Sequence, residues 1–169
     1  MIVAYIGNFQ PDLPPELGLA WSTETHISAS LELLGHEVIR VQEDRVPWHE
    51  RERLCDGVDM LLWTATRDFG QRWPEDDARD SLARIGKRIP RVGCHLDRWH
   101  GLDRADHVRT DAFFQSTDWV FTADGDHDDE WARAGVNHRW MPPGVFGPEC
   151  VPGTPRAEWA SDVVFIGSW

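Results

Sequence analysis

A chain of 169 residues with 41% hydrophobic content can bury one core and falls in the size range of a single domain. That content excludes a disordered chain, and no apolar run approaches the roughly 20 residues that a membrane-spanning helix needs. A formal net charge of −12 argues against a nucleic-acid scaffold, which meets phosphates with a basic stripe, though a local basic cluster can survive in an acidic chain.

Met1-Ile-Val-Ala-Tyr-Ile-Gly7 reads as a buried strand over Ile2–Ile6, too short and without the basic lead of a secretory signal. In residues 8–21, Pro11, Pro14 and Pro15 block helix and predict a loop. Ser22 or Thr23 caps a helix whose inner face carries Ile27, Leu31 and Leu34, and Gly35 is placed to end it. A second strand follows over Glu37–Val41, and Pro47 starts a short helix over 48–55. Met60–Trp63 is wholly apolar, as parallel strands buried on both faces are. Pro74 opens a helix through about Arg88, with Ala78, Leu82 and Ile85 on one face. Arg91–Leu96 is the fourth strand, Val108–Gln115 is helical, and Trp119–Thr122 is the fifth strand. Asp126 caps a helix ending at Gly135, and a sixth strand, Val136–Met141, stops at Pro142 and Pro143.

Strands alternating with helices predict an α/β fold, a Rossmann-like doubly wound parallel sheet in three α/β/α layers. Past residue 146, Pro148, Pro152, Gly153 and Pro155 predict a linker over 147–161. Asp162-Val-Val-Phe-Ile-Gly-Ser-Trp169 then reads as a new buried-type strand, the first of a further Rossmann unit. Cys55, Cys94 and Cys150 are odd in number and form no CxxC, which fits reduced thiols in a cytosolic protein. The ten tryptophans are expected in the core, and exposed ones would stack on sugar or nucleotide rings.

In open parallel sheets, ligands bind beyond the carboxyl ends of the strands. The candidates are therefore Gly7, Asn8 and Phe9; Gln42, Glu43 and Asp44; Thr64–Asp68; His95, Asp97 and Arg98; Asp124–Asp126; and Pro143 and Gly144. Gly7-Asn-Phe-Gln-Pro-Asp12 carries one glycine where dinucleotide binders carry G-x-G-x-x-G, and no G-x-x-x-x-G-K-[ST] occurs. A nicotinamide, flavin or P-loop site is not expected. His95 suits donation to a sugar hydroxyl, or a structural bond within its loop. A metal set of His95, His100 and His107 matches no ligand spacing. Asp124-Gly-Asp-His-Asp-Asp-Glu130 admits a calcium loop, a manganese DxD site as in GT-A glycosyltransferases, or a turn whose acids complement a helix dipole. The turn is favoured.

Four stretches together resemble the N-terminal domain of GT-B glycosyltransferases, especially the retaining phosphatidylinositol-mannosyltransferase-like and spore-maturation-type families. Ser22-Thr-Glu-Thr-His-Ile-Ser-Ala-Ser-Leu-Glu-Leu-Leu-Gly-His-Glu-Val38 is similar to their first helix and second strand. Cys94-His-Leu-Asp97 resembles the histidine-centred loop after the fourth strand. Asp118–Ala123 through Trp140-Met-Pro-Pro-Gly-Val145, and Asp162–Ser168, are similar to two later segments. The resemblance implies transfer of a sugar from a nucleotide-sugar donor to an acceptor, without a cofactor or metal. It implies that His95 contacts the donor sugar or orients the reacting groups. Gly7, Asn8, Phe9, Ser22, Thr23, Glu24, Asp97, Arg98 and Gly144 would line the acceptor and donor cleft. Donor binding would fall mostly to a second domain, so these 169 residues alone are expected to be inactive. Ser22-Thr23 replaces the family's glycine pair, which puts close approach of a phosphate in doubt there. The partners implied are the nucleotide sugar and an unidentified acceptor; peripheral membrane contact is left open. A standalone Rossmann-like binding module is the alternative, followed by the metal-dependent GT-A reading on Asp124 and Asp126.

Overall fold

The computed structural model describes residues 1–9, 23–65, 74–96, 99, 105–142, 144 and 147. Ser22, residues 66–68, Asp97, Arg98, Pro143, residues 148–161 of the proposed linker and the 162–169 strand lie outside them. Six parallel strands form one sheet in the order β2-β1-β3-β4-β5-β6. The strands are β1 (Ile2–Gly7), β2 (Glu37–Gln42), β3 (Met60–Trp63), β4 (Arg91–His95), β5 (Trp119–Thr122) and β6 (His138–Trp140). Helices α1 (Thr23–Leu33), α2 (Trp48–Leu54), α3 (Glu75–Ile85), α4 (Ala105–Val108), α5 (Ala112–Gln115) and α6 (Asp128–Arg133) connect them. This is the expected Rossmann-like α/β architecture. Among the described residues, no helix is long and apolar enough to cross a membrane.

β1 lies between β2 and β3, and Val3, Ala4, Tyr5 and Ile6 have no exposed surface. Its alternate residues feed two cores. Ala4 and Ile6 join Leu61, Trp63 and Val120 beneath the later helices, with Trp48, Leu82, Ile85, Phe113, Phe114 and Trp131. Val3 and Tyr5 join Leu62 and Cys94 on the other face, where Ile27 and Leu31 of α1 pack. The first face is a run of edge-to-face rings, Trp48 on Trp63 and Trp63 on Phe113 at 5.1 and 5.2 Å. Such contacts add to the stabilisation from burial.

Several element ends differ from the sequence reading for local reasons. Leu34 is 74% exposed rather than on the inner face of α1, because the helix ends at Leu33. Gly35 then turns the chain at φ +84°, and the His36 amide donates to the Leu31 carbonyl (3.1 Å), closing the helix as expected. The face of α1 nearest the sheet is polar: Ser28 is fully buried and accepts from Arg40 Nε at 2.7 Å. α3 stops at Ile85, three residues early, at the Gly86 cap. The expected helix over Val108–Gln115 is broken, since the Asp111 carboxylate accepts from the Phe113 amide and starts α5 afresh. Asp126 does not cap α6; it sits at φ +64° in the preceding turn, and His127 takes the cap position.

The amino ends of β4 and β5 are clasped by one ion pair. Asp118 accepts from the Arg91 amide at 2.7 Å and from its guanidinium at 2.6 and 3.1 Å. Hydrogen bonding from Arg91 holds the Asp118 carboxyl below its ordinary value. A depressed carboxyl stabilises the fold above its unfolded pKa and loses that contribution as pH falls through the folded one. Asp118→Asn is expected to lower stability at pH 7 by about 1–2 kcal/mol, less than the roughly 1.5–3 kcal/mol of a buried hydrogen bond to a charged group because the Asp118 side chain is partly exposed to solvent. Urea denaturation should show the gap to the wild type closing as the pH falls below about 4.

Candidate functional site

The chain leaves β1 for β2 on one face and reaches β3 by crossing to the other, so the winding reverses between β1 and β3. At such a switch point the connections diverge and leave a crevice at the carboxyl edge. Gly7 ends β1 there, and Thr64 follows β3. Glu24, in the first turn of α1, comes over the same spot. A Cβ built on Gly7 would lie 2.7 Å from Glu24 Cγ and 2.9 Å from Thr64 Oγ1. The glycine is what allows the two side chains to converge. Beneath them, the Tyr5 hydroxyl pairs with Thr64 Oγ1 at 3.3 Å. Burial pushes the Tyr5 phenol well above its usual value, and the negative charge of Glu24 adds to the shift. Tyr5 is therefore a neutral hydroxyl at physiological pH.

The β2 end frames the crevice. Gln42 Nε2 donates to Asn8 Oδ1 at 2.9 Å and to Asp44 Oδ1 at 2.8 Å, tying the β1 loop to the β2 loop. Glu43 is buried and accepts from Trp63 Nε1 at 2.8 Å. Arg51 is buried too, donating to the carbonyls of Val46 (2.6 Å) and Glu43. Desolvation lowers the Arg51 pKa to about 10, still charged at neutral pH. Phe9, expected to line the cleft, is instead a core residue, edge-on to Tyr5 at 5.1 Å.

His95 ends β4, one strand beyond β3, so sheet spacing puts it roughly 10 Å along the edge from Gly7. Its half-buried ring packs edge-on to Trp99 (5.1 Å) and Phe113 (6.2 Å), on the face opposite α1. His95 and Glu24 thus share the carboxyl edge but approach it from opposite faces. Asp124 is fully buried and accepts from the Trp99 amide at 2.7 Å, which makes it an anchor for the loop after β4. Among the described residues, no group of three or more His, Cys, Asp or Glu could hold a metal ion.

On the α1 side, an apolar groove of about 540 Å³ runs along the helix over β3–β5. Leu62, Val92 and Phe121 are among its lining residues, and Thr23 and Gly144, both expected in the cleft, lie on its walls. Cys94 also lines it, and desolvation raises its thiol to about 11, so it is no thiolate nucleophile at neutral pH. The sequence reading missed this groove, which lies where α1 is the one helix on that face among the described residues and alternate residues of β4 and β5 line the space beside it. It also missed Tyr5, whose signal was a hydroxyl in the middle of an apolar strand.

No protein-family model and no curated protein sequence matches the chain. Gly7→Ala is expected to destabilise by about 1–3 kcal/mol, the cost of overpacking a filled site. Adding Glu24→Ala should recover part of that loss, and a thermal-melt double-mutant cycle measures the coupling.

Proposed function

We propose that this chain is the acceptor-side half of a GT-B glycosyltransferase, moving a sugar from a nucleotide-sugar donor to an acceptor. The observation that carries the reading is where its motifs fall. The 22–38 stretch supplies Glu24 to the β1/β3 crevice, Cys94-His95 ends β4, and the 118–145 stretch spans β5 and β6. All three touch the carboxyl edge of one parallel sheet. In this reading His95, fixed by Trp99 and Phe113, donates to the sugar or orients the reacting groups. In this reading Asp97, Arg98 and Ser22, which lie outside the described residues, are further cleft residues. Residues 162–169 open the donor-binding domain, whose helix N-termini and cationic side chains would stabilise the diphosphate leaving group. The buried free thiols of Cys55 and Cys94 fit a cytoplasmic enzyme.

The reading predicts that the 169-residue chain shows no saturable tight binding of UDP- or GDP-sugars by calorimetry and no release of nucleoside diphosphate. Micromolar binding would overturn it. A form extended by the codons downstream should carry a second Rossmann unit with paired glutamates and a Lys or Arg. In that form His95→Ala should lower kcat by about 10²–10⁴, the scale of a positioned proton donor. An extended form without that unit, or one indifferent to His95→Ala, would count against the assignment.

A further inference from the structure

We propose that the apolar groove beside α1 is the docking site of this chain's own 148–161 segment, with the Trp159 indole as its anchor. The inference goes beyond the transferase reading and does not rest on it.

The groove is an uncovered part of the fold. Parallel sheets are buried on both faces, yet among the described residues α1 is the one helix on this side. Ile27, Leu31 and Leu34 form its helix wall, with Leu62, Val92 and Phe121 beside them. Leu34 is open to solvent there. From Thr23 to Leu34 the groove follows the helix for about 16 Å, at 1.5 Å per residue. A volume of about 540 Å³ is in the range of pockets that take large apolar groups.

The occupant follows from where the chain leaves the sheet. The Met141 amide donates to the Thr122 carbonyl at 2.8 Å, and Pro142 has no amide proton to continue the ladder. Met141, Pro142 and Gly144 all line the groove, so the chain departs from its wall. Trp159 follows 15 residues after Gly144. A flexible run of that length spans about 20 Å, close to the length of the groove. Such a tether holds the segment near its site at about millimolar effective concentration, ahead of any free molecule of similar fit.

The residue pattern of the segment suits the task. Val151, Gly153, Pro155, Ala157 and Trp159 occupy alternate positions, and Thr154, Arg156 and Glu158 fall between them. Alternate side chains of an extended chain point to opposite faces, so one face carries no polar side chain and the other meets water. From Val151 to Trp159 an extended chain covers roughly 26 Å, enough to close the groove along its length. The small groups on the apolar face leave Trp159 as the one large side chain to insert. A buried indole N–H needs an acceptor. Ser30 Oγ lines the groove and donates to the His26 carbonyl at 2.8 Å, which leaves its oxygen able to accept. Docked, the segment belongs to this domain and fixes where residue 162 begins.

The test is a methyl NOE spectrum of the complete chain. The Trp159 ring protons should show NOEs to the methyl groups of Leu31, Leu62 and Val92. Trp159→Ala should shift those methyl signals, while the Ile85 and Val120 methyls of the other core hold their positions and show that the variant is folded. Trp159→Phe should leave them near their wild-type positions. A synthetic 148–161 peptide should return the Leu62 and Val92 signals of Trp159→Ala toward the wild type saturably, and bind the wild-type chain roughly tenfold more weakly. Groove methyls that ignore Trp159→Ala would overturn the proposal. So would NOEs to them from residues 10–21, or between chains in a mixed-label sample, which would assign the groove to that loop or to a second copy. Octyl glucoside shifting these methyls equally in the wild type and Trp159→Ala would also overturn it, by showing a groove open to free apolar ligands. None of these readouts involves a donor sugar, so docking can hold where transfer fails and fail where transfer holds.

Discussion

The structure hangs on the burial of β1 between two parallel neighbours. A strand in that position has to be apolar on both faces, and Ile2-Val-Ala-Tyr-Ile6 meets the requirement with one polar atom, the Tyr5 hydroxyl. Because β2 and β3 flank it on opposite sides, the connections leaving the carboxyl ends of β1 and β3 run apart, one to β2 and the other to β4. The crevice is therefore a consequence of strand order, and its chemistry follows from the residues that arrive at that point. Tyr5 then links the inside of the sheet to its edge through Thr64.

The two faces of the sheet are unequal. Among the described residues, five helices cover one face, with Trp48, Trp63, Phe113, Phe114, Trp99 and Trp131 in contact beneath or beside them. That aromatic layer takes up four of the chain's ten tryptophans and holds His95 by its ring, while Trp119 and Trp140 are exposed. The other face has α1 alone among the described residues, laid close on β2 through the polar Ser28–Arg40 contact. The apolar groove beside α1 follows from that asymmetry.

The strands were legible in the sequence because buried parallel strands are short, continuous apolar runs with few competing readings. Ile2–Ile6, Met60–Trp63 and Trp119–Thr122 match to within a residue. Helix ends were less legible, since they depend on side chains that cap or interrupt. The Asp111 bond to the Phe113 amide breaks one expected helix in two, and a left-handed Asp126 displaces the start of another. Strand-end position located Gly7, Asn8 and His95, but could not say which face each side chain meets. Phe9 shows the limit: it follows the strand as a cleft residue would, yet turns back onto Tyr5. The Gly7–Glu24–Thr64 convergence joins residues 17 and 57 positions apart in the chain. No local pattern encodes it.

The missing side chain at Gly7 also bears on how this chain can change over generations. Positions 24 and 64 both reach into the space that a larger residue at 7 would occupy. A drift toward bulk at any one of the three narrows what the others accept, so the three positions constrain one another. Descendants that alter the crevice would do so by paired replacements, and their record would be correlated substitution between the first strand, the first helix and the end of the third strand.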